Sequence, residues 1–216
     1  MTRGYFFPSN EKRSFKNIKK VEYKLVFQYT WPVQKQFPKV YAFIDSQNLN
    51  IGVSKDLYRQ RKRIYKGWVL DYIKFRRYLE DKFRVKKAFL FIGYIPKYKG
   101  LYTSLEKYGF KLVFKPIVIH GRNRYKGNID AELVLHSCNI EYDKYDKAVI
   151  VSGDGDFFCL HSFLAKKNKL AKIIIPNSKS ESSLLREFTE YKVYLEHEKG
   201  KLELKKVGGV HTLSRR

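Results

Sequence analysis

Apolar runs broken by short polar turns set the frame of this chain. Lys147-Ala148-Val149-Ile150-Val151 is apolar and β-branched enough for a strand buried on both faces, and it ends abruptly in Ser152-Gly153-Asp154-Gly155-Asp156-Phe157. Val40-Tyr41-Ala42-Phe43-Ile44-Asp45 repeats the design, a buried strand delivering a carboxylate. Further strands are predicted over 87–94, 111–115 and 170–176, with 192–195 as an added edge strand. Between them, Trp68, Tyr72, Phe75, Leu79 and Phe83 recur at helical spacing, which predicts an amphipathic helix with an aromatic face turned to the core. Shorter helices are predicted over 101–108, where Gly109 stops the helix, and over 129–136, 157–167 and 180–191. Strands alternating with helices imply a parallel sheet with right-handed crossovers. In such a sheet ligands bind beyond the carboxyl ends of the strands, where these acidic turns lie.

Composition narrows the function. Hydrophobic residues make up 44% of the 216 and aromatics 16%, which fits a globular domain. Lysine and arginine number 45 against 21 acids, a net charge of +24. A domain this basic repels itself, and an anionic partner, nucleic acid first, offsets that cost; the competing reading is a proteome that is lysine-rich throughout. No apolar run approaches the ~20 residues of a membrane span and the start lacks a secretory signal, so no membrane association and a cytoplasmic location are expected. Cys138 and Cys159, each in an apolar stretch and without metal-ligand spacing, read as buried reduced thiols.

The expected organisation is a basic N-terminal extension over 1–38, a domain over 39–198 and a basic tail over 199–216 that is not expected to be well ordered. The extension alternates like a strand over 21–27, and its lysines suit either an RNA-binding arm or plain solvation. Residues 55–66 form a strongly basic region in which Arg59, Arg61, Lys62 and Arg63 have no compensating acid in view.

The chemistry rests on carboxylates. Asp45, Asp130 at a helix start, and Asp154 with Asp156 all fall at one edge of a parallel sheet. Asp130 and Glu132 also suit ordinary acid placement in a first helical turn, and Asp156 suits metal binding, water orientation or helix capping. Clustered carboxylates repel one another unless a cation neutralises them, and oxygen-only ligands suit Mg2+ or Mn2+. A cation there, on a basic protein, points to metal-assisted hydrolysis of phosphodiesters.

Three stretches, Phe43-Ile44-Asp45-Ser46-Gln47-Asn48-Leu49, Lys126-Gly127-Asn128-Ile129-Asp130 and Val151-Ser152-Gly153-Asp154-Gly155-Asp156-Phe157, resemble the NYN domain, the LabA-like branch of the PIN-like nucleases. The resemblance spans about 39–195 and implies a three-layer α/β/α sandwich with a mainly parallel sheet of about five strands. It further implies a divalent-metal-dependent ribonuclease with Asp45, Asp130, Asp154 and Asp156 as catalytic acids and metal ligands, and with Asn48 and Ser152 near ion and substrate. Arg122, Arg124 and Lys126 border the site in sequence and suit phosphate contacts. The chain departs from the family pattern at Asn128-Ile129, which separates Gly127 from Asp130, and at His136, where a further acid is common. The alternative expectation is an RNA-binding module of the same fold with little turnover, acting in a ribonucleoprotein complex.

Overall fold

The computed structural model describes residues 37–115 and 130–205, with the backbone alone for 118–120 and 124–126. The alternating segment 21–27, the residues Arg122, Gly127, Asn128 and Ile129, and the side chains of Arg124 and Lys126 lie outside the described residues.

The buried apolar runs become strands because each can hide both faces. β1 (Val40–Asp45) is buried along its whole length and occupies the middle of the sheet. After it come α1 (Ser46–Ser54), a hairpin of β2 (Leu57–Arg59) and β3 (Lys62–Tyr65), α2 (Tyr72–Phe83), β4 (Val85–Gly93), α3 (Lys99–Lys107) and β5 (Phe110–Lys115). A second small pair, β6 (Val118–His120) and β7 (Arg124–Lys126), precedes α4 (Asp130–Leu135), which runs on into a π-helical turn, His136–Ile140. β8 (Lys147–Val151), α5 (Phe158–Lys166), β9 (Leu170–Ile175), β10 (Lys192–Tyr194) and α6 (Lys199–Leu202) complete the described chain.

The main sheet has six strands in the order β10-β9-β8-β1-β4-β5, all parallel. The chain thus builds outward from β1 to β5, crosses back, and builds outward again from β8. The point of reversal falls between β1 and β8, which places the crevice of a doubly wound sheet there. Alternation along β1 divides the core: Val40, Ala42 and Ile44 pack with Leu49, Phe75, Leu79 and Leu105 on one face. On the other face Tyr41 and Phe43 pack with Phe91, Leu133, Leu160, Leu164 and Phe188, giving three layers.

Several expectations need adjusting. Asp71 caps α2 by accepting from Ile73 N and Lys74 N, so Trp68 enters the core ahead of the helix rather than within it. Residues 183–191 are 3-10 rather than α-helical, with a kink at Phe188 (φ −94°, ψ 28°). Cys138 is half-buried and Cys159 is exposed, because α5 turns Leu160, His161 and Leu164 inward and leaves Cys159 outward. Residues 199–205 pack against the domain instead of trailing from it: Leu202 is buried, its carbonyl accepts from Asp71 N at 2.9 Å, and Leu204 N donates to Val69 O at 2.8 Å.

Candidate functional site

Asp45 is both the last residue of β1 and the cap of α1. Its Oδ1 accepts from Gln47 N and Asn48 N, both at 3.0 Å, so the backbone of α1 fixes the carboxylate. The same group is 5% exposed, and burial pushes its pKa up from the usual carboxylate range to about 6, with Asp130 and Asp154 adding repulsion. The helix N–H groups oppose that rise but do not cancel it.

Across the switch point, the turn after β8 is held from two sides. Asn48 Oδ1 accepts from Gly153 N at 2.9 Å, and Ser152 Oγ accepts from Asp154 N at 3.2 Å while donating to Asp45 Oδ2 at 3.5 Å. Asp154 in turn caps the next 3-10 turn, its Oδ1 accepting from Asp156 N at 3.0 Å. Asn48 and Ser152 therefore tie the first acid to the third. Ser152 is fully buried, so its hydroxyl serves the aspartates and has no surface to offer a substrate.

Asp130 opens α4 and is half-buried; desolvation, then repulsion from Asp154 and Asp156, raises its pKa, and Lys115 moderates the rise. Asp45, Asp130 and Asp154, from three distant parts of the chain, line one cleft of about 370 Å³ together with Gln47, Asn48, Ile51, Gly52, Leu57 and Ser180. Asp156 is exposed and lies outside that lining, within electrostatic reach of Asp130. Glu132 and His136 do not line it either; His136 packs its ring edge-on to Phe91, 5.4 Å between centroids.

Gly155 owes its identity to packing rather than to access for a ligand: a Cβ there would stand 2.3 Å from Ser182 Oγ. Ser182 N donates to Gly153 O at 3.1 Å, so the polar segment after β9 is drawn over the acidic turn and brings Ser180 to the cleft. Sequence reading did not place Gln47, Leu57 or Ser180 at the site. Gln47 could have been found from its position beside Asp45, and Ser180 from the polar run that follows a buried strand. A second cleft of about 480 Å³ adjoins the first at Gln47 and is walled by Tyr72, Tyr98, Leu101 and Tyr102.

The donor set is oxygen-only, which suits a hard divalent cation. Among the described residues no three Asp, Glu, His or Cys side chains stand close enough to enclose an ion unaided. Two of the aspartates already spend an oxygen on backbone N–H groups, and Mg2+ commonly takes one or two carboxylates and keeps several waters, so an open arrangement fits it.

A doubly wound parallel sandwich with carboxylates gathered at its switch point is a nuclease-like frame. The chain belongs to the NYN domain family, among the PIN-like ribonucleases: the family profile matches residues 39–196. That family is generally one of nucleases, usually dependent on divalent metals. Among solved structures, a protein of unknown function from Vibrio parahaemolyticus is similar in fold, with a TM-score of 0.58 and 23% identity over 77% of this chain and 96% of the other. No functionally curated protein matches the chain. Among the described residues no helix is long and apolar enough to cross a membrane.

Proposed function

We propose that the protein is a divalent-metal-dependent ribonuclease that hydrolyses RNA phosphodiester bonds in the cleft of Asp45, Asp130 and Asp154. The observation that carries this reading is the convergence of those three carboxylates at the β1/β8 switch point, one of them held almost out of water. Asp45 and Asp154, each oriented by a backbone cap, are the principal ligands for Mg2+ or Mn2+, and Asp130 completes the set directly or through water. Asp156, at the rim, orients water or supports Asp130 electrostatically. Such an ion, when bound, supplies polarisation of the phosphodiester and a more acidic bound water. The chain's own residues supply the rest. Asn48 and Ser152 keep the two principal acids in register, and protonated Asp45 must lose its proton before it can serve an ion. Arg122, Arg124 and Lys126 are assigned to phosphate contacts on their place in sequence, between β5 and α4. RNA is the partner, the cytoplasm the location, and the nuclease domain runs over about 39–198 between basic extensions.

A second reading is an RNA-binding module with little turnover. It is favoured by the absence, among the described residues, of a ready-made carboxylate cage. Labelled single-stranded RNA incubated with Mg2+ or Mn2+, with EDTA, and with Asp154→Asn separates the two. Expected is cleavage that EDTA abolishes and that Asp154→Asn lowers at least 100-fold. Cleavage surviving both treatments refutes the metal mechanism. Salt-dependent binding without cleavage in either metal selects the binding module.

A further inference from the structure

We infer that the β2–β3 hairpin is a nucleic-acid arm: it grips the phosphate backbone of an RNA strand entering the aspartate cleft and offers Tyr58 as a stacking surface for a base. The inference rests on the ribonuclease reading for the identity of the strand, and its own observations are independent of catalysis.

Apart from Tyr65, which packs against the core at its base, the hairpin stands outside the core. Every residue from Tyr58 to Ile64 is exposed, and neither strand pairs with the main sheet. Its base is nevertheless fixed. Tyr65 Oη donates to Val53 O at 3.0 Å, Trp68 N donates to the same carbonyl at 3.0 Å, and Gly67 N donates to Asp56 Oδ1 at 2.8 Å. The chain passes so close at Gly67 that a Cβ would stand 2.0 Å from Ser54 O. A freely solvated loop needs no such anchoring. The anchor points the hairpin from the cleft itself, since its first residue, Leu57, lines the cleft with the three aspartates.

Its charge is of one sign. Asp56 is the acid between Lys55 and Lys66, and it corrects the expectation that Arg63 lacks a compensating acid: its carboxylate is occupied by Gly67 N and, at 3.6 Å, by Arg63 Nη1. Among the described residues Arg59, Arg61 and Lys62 have no ion-pair partner. Arg59 and Lys62 face each other across the strands, as do Tyr58 and Arg63. Like charges placed opposite one another weaken a hairpin, so this arrangement suits a bound polyanion better than it suits the free arm. Tyr58, 62% exposed, lies beside a guanidinium, the combination with which single-strand binders hold a base and its phosphate. An acidic cleft repels a polyanion, and cations at its lip allow a phosphate to approach the aspartates.

The test is equilibrium binding of a fluorescent single-stranded RNA to the full chain in EDTA over a range of salt. The variants are Arg59→Gln/Arg61→Gln/Lys62→Gln, Tyr58→Ala, and a control triple, Lys86→Gln/Lys107→Gln/Lys166→Gln, whose exposed lysines begin β4 or end α3 and α5. The hairpin triple is expected to lower the slope of log K against log salt by about 2, from ~0.7 per phosphate contact, with a smaller change in the control. Tyr58→Ala is expected to weaken binding about 5-fold or more with the slope unchanged. Equal losses in both triples, or an unchanged slope in the hairpin triple, overturn the arm. So does loss of binding to anionic phospholipid vesicles with RNA binding intact. With Mn2+ present, the hairpin triple is expected to raise KM and leave kcat within about two-fold. Absence of cleavage by the wild-type chain refutes the nuclease reading and leaves the EDTA binding test of the arm standing.

Discussion

Asp45 and His161, both buried, pull the pH response of this protein in opposite directions. Burial and neighbouring aspartates hold Asp45 at about 6, above the value near 3.8 of a free carboxyl. A raised acid pKa means that the folded state binds the proton more tightly than the unfolded state, so stability falls as pH rises from about 4 to 6. At about two units, the cost above pH 6 is on the order of 3 kcal/mol. Asp45→Asn keeps a capping oxygen and removes the charge. In metal-free buffer at pH 7.5 it is therefore expected to be more stable than the wild type by ~1–3 kcal/mol in urea titrations, and to lose stabilisation by Mn2+. His161 works in the opposite direction. It is fully buried against Phe188, neither ring nitrogen has a hydrogen-bond partner among the described residues, and burial lowers its pKa to about 4. Its neutral form belongs to the folded state, so stability is lost as pH falls from 6.5 through about 4. The two slopes offset between pH 4 and 6, and single variants uncover them: Asp45→Asn should lose stability on acidification through that window, whereas His161→Leu should gain it. Urea midpoints at pH 4.5 and 6.5 check both signs.

At the scale of elements, what could be read in sequence was whatever is buried. β1, β8 and the buried stretches of β4 and β9 announce themselves because strand segments covered on both faces are apolar, β5 shows as a shorter apolar run at the sheet edge, and Asp45 and Asp154 stand out because they follow such buried runs. Asp130 and Asp156 were visible as acids near helix starts, but only the folded chain separates them, placing the first in the cleft and the second outside it. The hairpin was hidden because its turn lacks the usual marks. Gln60 and Arg61 both take left-handed backbone, φ 49° and 61°, where Asn-Gly is the common choice for a two-residue turn. The segment 183–191 reads as an α-helix from its apolar positions, yet it is 3-10 with a kink at Phe188, and its cap Ser182 is tied to Gly153 O and packed against Gly155. Gly155→Ala, with Ser182 Oγ in the way, should shift the acidic turn, cost ~1–3 kcal/mol in unfolding experiments and lower activity more than stability alone explains. Arg61→Gly should relieve the turn and raise stability by up to ~1 kcal/mol while weakening RNA binding, a gain in stability set against function.

Over the whole molecule basic residues are spread along the chain, while Asp45, Asp130 and Asp154 meet in one cleft. Residues 1–36 hold eight basic residues and two acids, and 206–216 hold three basic residues and no acid, so the segment 37–205 keeps +15 of the +24. The basic character therefore belongs to the segment 37–205 as well as to the ends. That domain also contains its own closing contacts, since Leu202 and Leu204 seal its last turn against Leu70 and Val69. A chain cut to 37–205 is accordingly expected to fold, with a thermal midpoint within a few degrees of the full chain. Its RNA binding should keep more than half of the full chain's salt slope, because most of the excess charge and the entire β2–β3 hairpin remain. An assembly role carried by the ends makes a different forecast: binding would vanish on truncation while the circular dichroism spectrum and the melting transition stayed intact. Parallel salt titrations of the full and shortened chains decide between a domain that binds RNA where it would cut it and a domain whose ends merely tether it to a larger particle.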